Sequence, residues 1–140
     1  MRTVAYKFLG DLVLMVHSKA NPTDAELRAY FEELRTKDVS SIRVLVFTEG
    51  GGLSASQRKE LNTVLAGRQQ MCAVISDDGL VRGIVTALSW FNRGIKFFPT
   101  NAGEEAFKYL KIPSSDYAEV WRQVHSIRSL VDARHEGLGG

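Results

Sequence analysis

Cysteine occurs once in the 140 residues, at Cys72, so no disulfide can close within the chain. It stands inside Met71-Cys72-Ala73-Val74-Ile75, an apolar run that reads as a buried strand, which predicts a small core side chain rather than a nucleophile. Histidine is nearly as scarce. His17, His125 and His135 share no ligand spacing and have no recognisable partner pattern, which argues against a metal centre and against nucleophilic catalysis. A dominant charge is missing too. With a formal net charge of +2 and its cations scattered among acids, the chain is expected to bind neither nucleic acid nor an anionic membrane surface. No charge-free apolar run approaches the roughly 20 residues of a membrane-spanning helix. Asp11 interrupts the apolar stretch that follows Arg2 and Lys7, and no small-residue cleavage site follows, so the expected location is the cytoplasm.

What is present belongs to an ordinary globular domain, 44% hydrophobic and 24% charged, long enough for one core. The chain is organised around Ile42-Arg43-Val44-Leu45-Val46-Phe47, five of whose six residues are apolar, as a strand covered on both faces requires. Before it, Val4 to Leu9 and Leu12 to His17 are strand-like and separated by Gly10-Asp11, a glycine-first pair suited to a type II′ hairpin. Asn21-Pro22 stops the second strand. Thr23 and Glu26 have capping-box spacing for a helix that buries Leu27, Phe31 and Leu34. After the central strand, Ser54 and Gln57 repeat that spacing for a helix with the narrow stripe Leu61, Val64 and Leu65, ended by Gly67.

The strand at Met71 to Ile75 is followed by Ser76-Asp77-Asp78-Gly79, a turn and acidic cap. A third helix follows, with an inward stripe of Val81, Ile84, Val85, Leu88 and Phe91, and with Gly83 and Ala87 allowing a close neighbour. Ile95 to Phe98 is a short last strand. Gly103 to Leu110 is a short helix with Ala106, Phe107 and Leu110 inward. Strands alternating with helices after a hairpin predict an α/β fold with a mixed, mostly parallel sheet of four to five strands, flanking helices and an added C-terminal helix. The expected organisation is an α/β domain over 1–112, an amphipathic helix over 113–134 and a flexible tail over 135–140.

The first candidate site is the glycine turn and helix start, Thr48, Glu49, Gly50, Gly51, Gly52, Ser54 and Ser56. Open backbone N–H groups beside a helix N-terminus would suit an anion or a partner, although neither GxxxxGK[ST] nor GxGxxG spacing is present and Glu49 disfavours phosphate. Trp90 to Phe98 interleaves aromatics with Arg93 and Lys96, a composition that single-stranded nucleic-acid binders use, but Phe91 and Phe97 or Phe98 are needed in the core. In the last helix Tyr117, Val120, Trp121, Val124, Ile127 and Val131 recur at three- and four-residue steps. That stripe must pack on its own sheet or on a second copy, and a homodimer would place Tyr117, Trp121 and Val124 at the interface.

The strand Val44 to Phe47 with its glycine loop, the strand Met71 to Ile75 with Ser76-Asp77, and Ile95 to Phe98 before Glu104-Glu105-Ala106-Phe107-Lys108-Tyr109-Leu110 together give a pattern that resembles the STAS domain. That is the fold of anti-sigma-factor antagonists and of the cytoplasmic tails of sulphate transporters, and the variant resembled here is grouped with lipid-binding domains. Antagonist members carry Asp-Ser-(Ser/Thr)-Gly-Leu at the start of helix two, where a kinase phosphorylates the serine. Here Gly52-Leu53 fits the end of that motif, but glycines stand at the acceptor, and Thr48, Ser54 and Ser56 are displaced from it. The resemblance implies a noncatalytic regulatory or protein-interaction module without cofactor or metal, acting on a partner protein or by self-association. The alternative it implies is a carrier or sensor of a small lipid-like ligand.

Overall fold

The structure, a computed structural model, describes residues 2–89 and 92–139, and the side chains up to Val131. Trp90, Phe91 and the side chains of Arg134 and His135 lie outside the described residues. Five strands, β1 (Val4–Leu9), β2 (Leu12–His17), β3 (Arg43–Thr48), β4 (Met71–Ile75) and β5 (Ile95–Phe98), form one sheet in sequence order. The β1–β2 pair is antiparallel, and β2 through β5 are parallel. Leu9 opposite Leu12 leaves Gly10-Asp11 as a two-residue loop, in which Gly10 has φ +63° and Asp11 is not left-handed, as a type II′ turn requires.

Each parallel step needs a crossover, and α1 (Asp24–Arg35), α2 (Ala55–Leu65) and α3 (Gly79–Leu88) supply them. With strands laid down in order and crossovers of one hand, these three helices cover one face of the sheet. The other face is covered by α4 (Gly103–Tyr109) and α5 (Tyr117–Gly139). The single core expected from sequence is therefore split by the sheet. Val13, Met15 and Val44 alternate toward α1 and α2, while Leu12, Leu14, Leu45 and Phe47 point to α4 and α5.

Both predicted capping boxes are formed, Thr23 with Glu26 and Ser54 with Gln57. Asp78 caps α3 through bonds from the Leu80 and Val81 N–H groups. At the end of α2 it is Ala66 that takes the left-handed cap at φ 52°, with Gly67 left-handed behind it. The stripe predicted for α3 is narrower than expected. Val81 and Val85 are buried, but Ile84 is 51% exposed, and Gly83 and Ala87 face solvent, because only Val74 and its neighbours lie beneath this short helix. Helix α5 runs on to Gly139, past His135, where a tail was expected; once nucleated, a helix extends at one hydrogen bond per residue. Among the described residues no helix is long and apolar enough to cross a membrane.

Candidate functional site at the carboxyl edge of the sheet

Because β2 to β5 run parallel, their carboxyl ends, His17, Thr48, Ile75 and Phe98, meet at one edge. Open α/β sheets offer their ligand crevice at this edge, since the loops leaving the strands are free to diverge. Here the crevice has a volume of about 500 Å³. Its floor is His17, Thr48 and Ser76, and its rim carries Lys19, Glu49, Asp77, Asp78, Thr100 and Arg128.

The floor is rigid. Ser76 Oγ donates to the Thr48 carbonyl at 2.7 Å and accepts from the Asp78 N–H at 3.1 Å, tying the end of β3 to the end of β4. Asp77 Oδ1 accepts from the Thr100 hydroxyl at 2.6 Å, which ties β4 to the segment after β5. Thr48 Oγ1 donates to the Gly51 carbonyl at 2.6 Å and accepts from the Gly50 N–H at 3.0 Å. The bonds of Thr48 to residues 50 and 51 and of Ser76 to Asp78 are local, whereas those from Ser76 to Thr48 and from Thr100 to Asp77 join segments 28 and 23 residues apart.

The N–H groups of the glycine turn are taken up within the fold, so the stretch is a tight turn with Ser54 as the cap of α2. Gly50 donates to Thr48, Gly51 to the Ser18 carbonyl at 2.8 Å, and Gly52 to Asn21 Oδ1 at 3.1 Å. The turn is sewn to the segment between β2 and α1, and this explains the glycine at 51. A Cβ there would lie 2.2 Å from the Ala20 carbonyl oxygen and 2.6 Å from that of Ser18. Ser54 is engaged as a cap, its hydroxyl 3.2 Å from that of Ser56. Of the seven residues singled out in this stretch, Thr48 and Glu49 line the crevice, Gly50 to Gly52 are bonded to Thr48 and to the segment after β2, and Ser54 and Ser56 stand at the start of α2.

His17, set aside in the sequence as an isolated histidine, is 4% exposed and lines the crevice. Burial pushes its pKa down to about 4, against the opposing pull of Glu26, so the ring is neutral near pH 7. Its Nδ1 has no hydrogen-bond partner among the described residues. Arg128, on α5, lays its guanidinium 5.6 Å from the centre of the Phe47 ring. No pattern in the sequence joins Lys19, Asp77, Thr100 and Arg128; only parallel pairing of four strands with α5 across them does so. Asp77 and Asp78 also serve as the turn and cap expected from the sequence.

Tyr117, Trp121 and Val124 pack against the chain's own sheet and α4. Trp121 sits between Phe47 and Phe107, with ring centres 5.5 and 5.0 Å away, Tyr117 packs edge-on to Phe107, and Val124 is buried. The stripe finds apolar cover on the sheet beneath, with Tyr117 and Trp121 left half-buried. Along β5, Phe98 is buried and Lys96 Nζ lies over the rings of Phe98 and Tyr109 at 5.6 and 5.4 Å, an internal use of the aromatic and cationic groups near Trp90. Cys72 is partly buried between β3 and β5, and burial pushes its thiol up to about 12. Among the described residues no group of three or more histidines, cysteines and carboxylates is placed to hold a metal ion. No family model, curated protein or solved structure matches the chain.

Proposed function

We propose that this chain is a noncatalytic regulatory or interaction module of the cytoplasm, with a STAS-like fold, that acts through contact of a partner protein with the carboxyl edge of its sheet. The observation that carries this reading is the construction of that edge. Its loops are cross-tied into a rigid frame, while Lys19 and Glu49 project from it with no protein partner among the described residues. Pre-organised backbone with free charged side chains suits recognition, because little ordering entropy remains to be lost on contact. Two observations favour a noncatalytic reading: burial raises the pKa of the Cys72 thiol, and His17 Nδ1 has no hydrogen-bond partner among the described residues.

The carrier reading keeps one supporting observation. A groove of about 400 Å³ runs between α3 and β5, with Val85, Ile95 and Phe97 in its wall, and Leu80 and Ile84 stand exposed on the same helix. Native mass spectrometry of the protein from its source cells separates the two. The interaction reading expects a chain free of acyl-lipid mass that gains a partner's mass, and the carrier reading expects a retained lipid.

A further inference from the structure

We infer that the free edge of β1 pairs with β1 of a second copy of this chain, so that two sheets join across a two-fold axis. The contact uses a different surface from the carboxyl edge and leaves the stripe of α5 on its own sheet.

The sheet has two edge strands, β1 and β5, and only β5 is blunted. β5 has four residues, carries Lys96 and runs straight into Pro99, three features that discourage a further strand. β1 has six residues, no proline and a single charge, and that charge is committed, Lys7 Nζ donating to Gln123 Oε1 at 2.9 Å. The hairpin decides which of its backbone groups face outward. Leu9 and Leu12 flank the two-residue loop and so exchange both bonds, and the pattern repeats at every second residue as far as the Ser18 N–H, which donates to the Thr3 carbonyl at 2.9 Å. Val4, Tyr6 and Phe8 therefore turn their N–H and C=O groups away from β2. Glu26 takes the Val4 N–H at 3.3 Å, while those of Tyr6 and Phe8 have no partner among the described residues.

The fold also says what covers this edge. With β5 blunted, β1 does not continue head to tail onto the β5 of another chain, which leaves β1 against β1, a contact that closes under a two-fold axis. β1 is already antiparallel to β2, so the axis extends the sheet in the same sense. Helix spacing fits as well. Helix α5 packs across β1 and β2, which sets its axis about half a strand spacing inside β1, and the two-fold lies half a spacing outside; the two α5 helices then run about 9.6 Å apart, within the roughly 8–10 Å of packed helices. The flank of α5 that turns to this edge carries Gln123 and, about two turns on, Leu130, which is 48% exposed. On the other face Tyr6 and Phe8 are half-buried, their ring centres 6.0 Å apart and that of Tyr6 5.1 Å from Tyr30, an aromatic patch that a second copy extends. Charge sets the register. Pairing centred on Tyr6 puts Lys7 opposite Ala5 and Phe8 opposite Val4, whereas pairing centred on Lys7 opposes two cations.

The test is sedimentation of the intact chain at tens of micromolar, together with Tyr6→Lys, and oxidative linking of Tyr6→Cys and Phe8→Cys, each made in a Cys72→Ala background. The parent is expected at twice the 15.6 kDa of one chain. Tyr6→Lys sets a cation against its own copy at the axis and should halve that mass while keeping the far-ultraviolet spectrum. Mild oxidation should link Tyr6→Cys, because the Cα atoms of a hydrogen-bonded pair stand about 5.5 Å apart, and should leave Phe8→Cys unlinked, about 13 Å along the strand from its copy. A parent of one chain's mass, a dimer linked through position 8 or through neither position, or a folded Tyr6→Lys that stays dimeric overturns the proposal. If Tyr6→Lys does not fold, the two cysteine variants decide it.

Discussion

His17 joins the fold and the crevice in one side chain. Its ordinary pKa of 6.5 is pushed to about 4 in the folded protein, because burial penalises the imidazolium more than Glu26 favours it. Between those values the unfolded chain binds more protons, so stability is lost as pH falls from about 6.5 toward 4. Moving from pH 7 to pH 5 should cost about 2 kcal/mol at this residue, and urea unfolding of His17→Gln should lose most of that difference. Glu26 acts in a lower window. Burial raises its pKa, but bonds from Thr3, Thr23 and Val4 outweigh this and bring it to about 2, so its contribution is lost only as pH falls from about 4.5. A wild-type midpoint that does not move between pH 7 and 5 would mean that the imidazole is solvated. The glycines are separable by the same reasoning. Gly51→Ala drives a Cβ into the Ala20 and Ser18 carbonyls and should cost about 1–3 kcal/mol, whereas Gly52→Ala enters open space and should stay within about 0.5 kcal/mol. Equal effects of the two would show that the turn is not pinned to the β2–α1 segment.

The elements were the most legible part of the sequence. Alternation and capping chemistry are local, so Thr23, Ser54 and Asp78 announced their helices, and the run from Val44 to Phe47 announced a strand buried on both faces. The narrow burial of α3 was not legible, because apolar residues at helical spacing do not reveal how much sheet lies beneath them; Leu80 and Ile84 are 80% and 51% exposed. The crevice was hidden for a related reason. His17, Glu49, Asp77 and Arg128 come from four separate elements, and only the sheet order brings them to one edge. Leu45, fully buried at the centre of β3, makes the contrast measurable. Leu45→Ala should cost about 2–5 kcal/mol and Leu80→Ala less than about 0.5 kcal/mol in chemical unfolding. Comparable losses would mean that Leu80 is covered in solution.

At the scale of the whole molecule, α5 belongs to the domain rather than to an appendage. Val120, Val124, Ile127 and Val131 are buried on the same layer as Leu14, Val16, Phe47 and Phe107. A chain ending at Pro113 would leave that layer in water and should aggregate or melt well below the parent in a thermal scan, and a truncated protein that melts like the parent would separate α5 from the core. Because α5 also delivers Arg128, the packing that stabilises the fold completes the crevice. Site-specific photo-cross-linking in the source cells reports whether the carboxyl edge meets a partner. With the cross-linker in place of Glu49, one discrete partner adduct should form, and it should be lost in an Asp77→Lys background. With the cross-linker in place of Asn62, exposed toward the opposite edge, no adduct should form. An adduct from position 62 and none from position 49 would place the contact elsewhere than the carboxyl edge.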